Sequence, residues 1–262
     1  WYQRQVTLPV FCTGQRVVLR FGAVTHTAKV WLNGQLIAQH KGGFTPFEAD
    51  VTGLLHPGET ALLTVACDNR VDHSTLPVGN EEGQLAFFGS DNAGIPSVEA
   101  AKRFAAKQNR PNFDFFNYAG IHRPVWLYTT PETHIEDVTI VPQTDGTVNY
   151  SVRTVGTAPV AVTVLDADGS AVAQAEGAEG ILTIPEVHLW EPKPGTPYLY
   201  TLHITCGADV YDQTFGVRSV EVRGTQVLLN GKPLYFKGFC KHEDFTAHGR
   251  GFDPVLNVKD VN

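Results

Sequence analysis

The chain has 262 residues, of which 42% are apolar, and its formal net charge at pH 7 is −7. This length and composition predict a globular protein of two domains, each large enough for its own hydrophobic core. The acidic balance argues against nucleic acid or an anionic membrane surface as a partner, and no apolar run reaches the roughly 18 residues of a membrane span. The sequence therefore predicts a soluble protein and leaves open whether it is cytoplasmic or secreted.

Residues 1–133 follow an all-β pattern in which short apolar strands alternate with turn residues. The predicted strands include residues 17–21, 28–32 and 61–67. Asn33-Gly34, between two apolar runs, is a strong signal for a type I′ hairpin. Many short strands at this spacing predict a sandwich or a jelly roll.

The β pattern is interrupted between Gly79 and Arg110. A long loop that contains Phe87 and Phe88 is followed by a short predicted helix near residues 97–108, with Ser97 as its N-cap. A loop of this length in a compact domain is usually functional, and a mobile surface insertion is the alternative.

The most distinctive stretch is residues 112–131, where several aromatic side chains surround one carboxylate, that of Asp114. The aromatic residues are Phe113, Phe115, Phe116, Tyr118 and Trp126. Aromatic faces cover the apolar C–H side of a sugar ring, and a carboxylate accepts hydrogen bonds from its hydroxyls, so this composition favours a sugar-binding site. The alternative is a core strand in which Asp114 caps a turn.

Residues 134–222 repeat the all-β signature and contain no helical pattern. The predicted strands are residues 135–141, 148–155, 160–166, 180–184, 199–206 and 210–217. Asp168-Gly169 is a second hairpin signal. No group of residues in this region suggests catalysis, so we expect it to act as a spacer or an interface.

Five stretches, in the same order, resemble glycoside hydrolase family 2: WYQRQV, GGFTPFEADVT, DFFNYAGIHRPV, LWEPKPGTPYLY and LLNGKPLYFKGFCKHED. The resemblance is closest to the members that cleave β-glucuronides. It implies a mostly β chain with a jelly-roll sugar-binding domain at residues 1–133 that is N-terminally incomplete. An immunoglobulin-like β-sandwich would follow at 134–222, and the truncated start of a (β/α)8 TIM barrel at 223–262.

The last segment is interpreted as the opening of that barrel. Residues 227–229 and 234–236 are predicted to form a hairpin around Asn230-Gly231. Residues 237–240 are predicted to be the first barrel strand, followed by residues 241–244 at its C-terminal end, where the active sites of such barrels are built. A helix is predicted to start at Leu256.

The activity implied by the resemblance is retaining hydrolysis of β-D-glucuronides, which needs two carboxyl groups about 5–5.5 Å apart. In the family both are glutamates on later barrel strands, so the resemblance places no catalytic residue in this chain, and we expect the chain alone to be inactive. The resemblance assigns substrate binding to Asp114 and His242. For His242 the alternative is a structural hydrogen-bond hub beside Glu243 and Asp244, and Arg123 is interpreted as a structural tie.

The implied substrate is a glucuronide or another β-glycoside, and the implied assembly is a homo-oligomer, either a dimer or a tetramer. No cofactor is implied, and the four scattered cysteines show neither a CxxC motif nor a Cys/His spacing typical of a metal site. Two alternative functions stay open. One is another family 2 glycosidase, such as a β-galactosidase or a β-mannosidase, and the other is a non-catalytic carbohydrate-binding module.

Overall fold

A computed structural model of the chain describes residues 1–79, 109, 116–242, 244–245, 248–251 and 253–261. The predicted helix near residues 97–108, the Phe87-Phe88 pair and Asp114 lie outside the described residues. The chain divides into two compact units, one of residues 1–129 with 241–262 and the other of residues 130–240. Within the described residues, no helix is long and apolar enough to cross a membrane.

The described chain up to Thr130 forms strands of three antiparallel sheets. The strands are β1 (Tyr2–Thr7), β2 (Arg16–Phe21), β3 (Val24–Thr25), β4 (Thr27–Leu32), β5 (Gln35–Lys41), β6 (Phe47–Asp50), β7 (Thr60–Asp68), β8 (Gly120–Ile121) and β9 (Val125–Thr130). The strand orders are β1-β7-β4-β5, β6-β2-β9 and β3-β8. A short 3₁₀ helix, Val10–Cys12, connects β1 to β2.

The core of the first unit lies between the two larger sheets. Along β4 the side chains of Ala28, Val30 and Leu32 are buried, whereas the residues between them face outwards, as the period of two in a strand requires. These three side chains belong to the same buried cluster as Leu19 and Phe21 of β2. The two sheets therefore pack as a sandwich, and the predicted jelly-roll architecture is confirmed.

The second unit holds the remaining described strands. They are β10 (His134–Pro142), β11 (Thr147–Val155), β12 (Val160–Leu165), β13 (Ala171–Glu176), β14 (Glu179–Thr183), β15 (Tyr200–Cys206), β16 (Asp209–Phe215), β17 (Val220–Arg223), β18 (Gln226–Leu229) and β19 (Lys232–Pro233). The sheets β10-β11-β14 and β13-β12-β15-β16 share one buried cluster that includes Val152, Val162 and Ile204. This is the predicted immunoglobulin-like sandwich, and β17-β18-β19 forms a separate small sheet.

The hairpin signals in the sequence are confirmed by the backbone. Asn33 and Gly34 have φ angles of 48° and 83°, as a type I′ turn requires, and they join β4 to β5. The turn that contains Gly169 joins β12 to β13. Residues Asn230 and Gly231 likewise have positive φ, and the second strand of their hairpin is Lys232–Pro233 instead of the predicted residues 234–236.

The segment predicted as the barrel opening is only partly regular. Residues 237–240 belong to no β-strand, although they were predicted to be the first barrel strand. A barrel strand is hydrogen-bonded to neighbouring parallel strands, and no described residue pairs with residues 237–240. The helix α1 (Pro254–Val261) begins two residues before the predicted start. Asp253 explains the difference, because its Oδ1 accepts hydrogen bonds from the main-chain N–H groups of Val255 and Leu256.

Candidate functional site

Of the two residues predicted to bind substrate, the structure describes His242 but not Asp114. Asp114 lies outside the described residues, so the structure gives its flanks, Asn109 and Phe116, and not its side chain. His242 is described, and its side chain is 66% exposed in the first unit. An exposed imidazole keeps its polar atoms available for a ligand, and no contact in the structure tests whether it binds a sugar.

Three segments of the first unit, distant in sequence, meet around His122. The Nε2 atom of His122 donates a hydrogen bond to the main-chain oxygen of Gly43 over 2.7 Å. The ring of His122 is edge-on to Phe44 with 5.5 Å between ring centroids. The guanidinium carbon of Arg250 lies 5.7 Å from the centroid of Phe44, within the range of a cation–π contact. This packing connects the loop after β5 with the segment that follows His242.

Gly249 allows the segment that follows His242 to make a second contact within the first unit, with Tyr118. A Cβ atom at position 249 would lie 3.0 Å from the ring of Tyr118, which is closer than ordinary van der Waals contact. Gly249 also has a φ of 58°, a conformation that residues with a Cβ rarely adopt. Glycine therefore allows the backbone of the barrel segment to lie against Tyr118.

Asp244 lies between the side chains of His242 and Arg250. Its Oδ2 is 3.6 Å from Nδ1 of His242, and its Oδ1 is 3.8 Å from Nη2 of Arg250. Both separations are ion-pair distances that are too long for hydrogen bonds. Neither carboxylate oxygen has a hydrogen-bond partner among the described residues, although both are inaccessible to solvent. The carboxylate of Asp244 is thus near both side chains without a direct hydrogen bond to either.

A cavity of about 30 Å³ lies beside this group of charges. Its lining includes Arg123, Lys241, His242, Asp244, His248, Arg250, Asp253 and Asp260. Lys241 is already paired, since its Nζ donates to Oδ1 of Asn257 over 3.0 Å and contacts Asp260. Because one water occupies roughly 10–15 Å³ by this measure, a cavity of about 30 Å³ has room for two or three waters between these side chains.

An ion pair flanks the end of β7 in the same unit. The Nε atom of Arg70 donates to both carboxylate oxygens of Asp68, each over 2.9 Å. These hydrogen bonds hold the pKa of Asp68 below its ordinary value, although partial burial acts in the opposite direction. Asp68 is therefore charged at neutral pH. The pair lies on either side of Asn69.

The sequence alone did not identify Phe44, His122 or Arg250 as parts of this region. Their contacts join the loop at 42–44, the segment after β8 and the residues beyond His242, and no local pattern connects them. The histidine within Gly-Ile-His-Arg was the one available signal, and it was given no role. Among the described residues, no three side chains of the metal-binding types cluster closely enough to hold a metal ion.

Three family models match the chain in succession. They are the sugar-binding domain of glycosyl hydrolases family 2 at residues 1–131, the glycosyl hydrolases family 2 model at 133–218 and the family's TIM barrel domain at 220–262. The chain belongs to glycosyl hydrolase family 2.

Among solved structures, a Faecalibacterium prausnitzii β-glucuronidase is 88% identical, with a TM-score of 0.94, and the match covers all of this chain and 44% of that one. A Bifidobacterium dentium β-glucuronidase, solved in complex with coumarin-3-O-glucuronide, is 49% identical with a TM-score of 0.89, over 99% of this chain and 46% of the other. The curated β-glucuronidase of Felis catus is 41% identical over all of this chain. The chain spans about two fifths of that relative's length, the aligned share being 42%.

Proposed function

We propose that the native protein, meaning the complete natural polypeptide that contains these 262 residues, is a retaining β-glucuronidase. The observation that carries the proposal is the 88% identity to the Faecalibacterium prausnitzii β-glucuronidase over the whole chain. Three consecutive family 2 models in the expected order support the same domain plan. The Bifidobacterium dentium complex with a glucuronide supports a β-D-glucuronide as the substrate class.

In this proposal the 262-residue chain contributes to substrate binding and not to bond cleavage. A retaining glycosidase cleaves with two carboxyl groups about 5–5.5 Å apart, and the family resemblance places both on later barrel strands. Asp114 is proposed to accept hydrogen bonds from a sugar hydroxyl. His242 is proposed to contact the sugar through Nε2, because its other ring nitrogen, Nδ1, is the one near Asp244.

Substrate selectivity tests the proposal directly. The purified native protein is assayed with chromogenic β-D-glucuronide, β-D-galactoside and β-D-mannoside under one set of conditions. We expect kcat/KM to be highest for the glucuronide. A preference for the galactoside or the mannoside would place the protein in another family 2 activity, and no hydrolysis of any of the three would favour a non-catalytic carbohydrate-binding module.

The role of Asp114 is tested by two substitutions in the native protein. Loss of a charge-assisted hydrogen bond to the sugar should cost roughly 1.5–3 kcal/mol, or about 10- to 150-fold in kcat/KM. Asp114→Ala is expected to show this loss and Asp114→Asn an intermediate one, because the amide keeps an acceptor and loses the charge. A lower melting temperature with parental kcat/KM would instead assign Asp114 to a turn cap, worth about 1 kcal/mol of folding free energy.

The family resemblance also implies self-association, so we propose that the native protein is a homo-oligomer, either a dimer or a tetramer. Sedimentation equilibrium over a hundredfold range of concentration distinguishes these two states. A monomer at every concentration would contradict the proposal.

A further inference from the structure

Asn117 makes hydrogen bonds through its side-chain nitrogen, its side-chain oxygen and its main-chain oxygen. Its Nδ2 donates to the main-chain oxygen of Asn69 over 2.8 Å, and its own main-chain oxygen accepts from Nδ2 of Asn69 over 3.0 Å. Its Oδ1 is 2.6 Å from Nε2 of His26. Because the amide nitrogen must face the carbonyl of Asn69, Oδ1 faces the imidazole, and Nε2 of His26 must therefore carry a proton and donate it.

His26 is itself fixed within the jelly-roll core. The residue is 1% exposed, its main-chain N–H donates to the oxygen of Asp68, and its oxygen accepts from the N–H of Gly42. Gly43 covers the other ring nitrogen, since a Cβ there would lie 2.7 Å from Nδ1 of His26. Nδ1 has no hydrogen-bond partner among the described residues, and an unsatisfied buried polar atom has a free-energy cost. An apolar side chain at position 26 would avoid that cost, but Oδ1 of Asn117 would then lose the hydrogen-bond donor that Nε2 of His26 provides.

Asn69 also holds Asn109, on the other side of residues 110–115. The Nδ2 atom of Asn109 is 3.2 Å from both the main-chain oxygen and Oδ1 of Asn69, and its Oδ1 accepts from the N–H of Val71 over 2.9 Å. Asn69 therefore makes hydrogen bonds with both Asn109 and Asn117.

The described segment beyond Asn117 leads directly to the candidate site. Thr25, next to His26, donates through Oγ1 to the main-chain oxygens of Tyr118 and Gly120, over 3.1 Å and 3.2 Å. Tyr118 packs against Gly249. Fixing Asn117 therefore fixes the first residue of the segment that contacts the barrel opening.

We infer that Asn69 and Asn117, held by His26, are positioning residues for the substrate-binding end of the jelly-roll domain. We name these three residues the asparagine clamp. The inference rests on the proposed β-glucuronidase function, because it assigns the clamp an effect on substrate affinity. None of the three residues is assigned to contact the sugar. They act by keeping the segment that starts at Asn117 in one place relative to Gly249.

The experiment compares matched asparagine substitutions in the native protein. Asn117→Ala removes the bonds to His26 and Asn69, and Asn117→Asp keeps the acceptor for His26 but sets an oxygen against the carbonyl of Asn69. The control is Asn33→Ala, at the exposed turn of the β4-β5 hairpin, at the opposite end of the hairpin from His26 and Gly42. It removes a comparable bond, from the N–H of Leu62 to Oδ1 of Asn33 over 2.8 Å.

The readouts are kcat/KM for a chromogenic β-D-glucuronide per folded molecule, the inhibition constant of D-glucuronic acid, and the melting temperature. We expect both Asn117 variants to lose on the order of 10- to 100-fold in kcat/KM and to bind the inhibitor more weakly, since small displacements of binding groups have effects of this size. Asn33→Ala should lower the melting temperature and leave both activity readouts at the parental value.

Each result decides between the two proposals. Parental kcat/KM and parental inhibition in Asn117→Ala, at any melting temperature, would overturn the clamp while the β-glucuronidase proposal stands. Equal losses in Asn117→Ala and Asn33→Ala would also overturn it, because the effect would then follow stability alone. A parent protein that hydrolyses no β-D-glucuronide would refute the proposed function, and the inference would fail with it.

Discussion

Replacing Gly43 with alanine should disturb the first unit by crowding His26 and Thr25. The new Cβ would lie 2.7 Å from Nδ1 of His26 and 3.1 Å from Cγ2 of Thr25. Real Cβ atoms almost never come within 3.0 Å of another heavy atom, so some atom must move. The imidazole is the nearest group, and it cannot turn away freely because Asn117 is 2.6 Å from its other nitrogen.

The expected cost follows from overpacking of a buried site. Inserting one methyl group into a well-packed core typically costs about 1–3 kcal/mol of unfolding free energy. For a unit of about 150 residues, each kcal/mol lowers the melting temperature by roughly 2–4 °C, so Gly43→Ala should melt about 2–12 °C lower. If the strain passes through His26 to Asn117, kcat/KM for the glucuronide should fall as well.

Gly53→Ala is the matched control. Nothing lies within 4 Å of a Cβ at position 53, and the residue does not have a positive φ. Alanine there should be neutral or stabilise by about 0.4–1 kcal/mol through the unfolded state. Both variants are compared in the native protein by thermal unfolding and by amide hydrogen exchange of peptides from residues 24–32 and 116–123. Equal melting temperatures and equal exchange in the two variants would refute the argument, because His26 would then have room to move.

Three further predictions concern activity, packing and pH. The 262-residue polypeptide alone should show no turnover of a chromogenic β-D-glucuronide, and turnover that survives repurification would contradict the domain assignment. Tyr200→Phe should lower the unfolding free energy of the second sandwich by about 1–3 kcal/mol, because the main-chain N–H of His188 loses its hydrogen-bond acceptor. The control Tyr211→Phe, at an exposed position, should change the unfolding free energy little. Denaturant titration of both variants measures the difference. Arg70→Gln should destabilise slightly at neutral pH, where the lowered pKa of Asp68 makes its full contribution to stability. That contribution is complete above the unfolded pKa and is lost as pH falls through the folded pKa, so the difference between variant and parent should vanish there, and a difference that persists at low pH would exclude this ion pair as its cause.

Much of the fold could be predicted because its signals are local. The apolar run at residues 28–32 predicted the strand, in which Ala28, Val30 and Leu32 are buried, and Asn33-Gly34 predicted the turn. Strand β13 was not predicted, since its sequence AVAQAE is rich in residues with weak β preference. Strand β13 forms because the folded chain places it beside β12, with which it pairs, and its own composition does not indicate a strand. The predicted barrel strand at residues 237–240 lacked a partner among the described residues and formed no ladder.

The candidate site was less accessible to sequence reasoning. His242 was chosen by family resemblance, and the structure adds the nearby charge of Asp244. The asparagine clamp carries no sequence motif. Asn69 and Asn117 are 48 positions apart, and asparagines are ordinary turn residues wherever they occur. Only the folded chain brings their amides together, so contacts of this kind cannot be derived from spacing.

The contact between Tyr118 and Gly249 has a consequence for biosynthesis. The first unit is assembled from residues on both sides of the second sandwich, so its final part leaves the ribosome only after that sandwich has been made. Until then Phe44 has no Arg250 above its ring and Tyr118 has no Gly249 beneath it. The nascent jelly roll must therefore persist with an open aromatic surface while a whole further domain is translated. During that interval the growing chain exposes more of these two rings than the finished protein, in which both stay partly exposed, and exposed apolar surface is what chaperones bind.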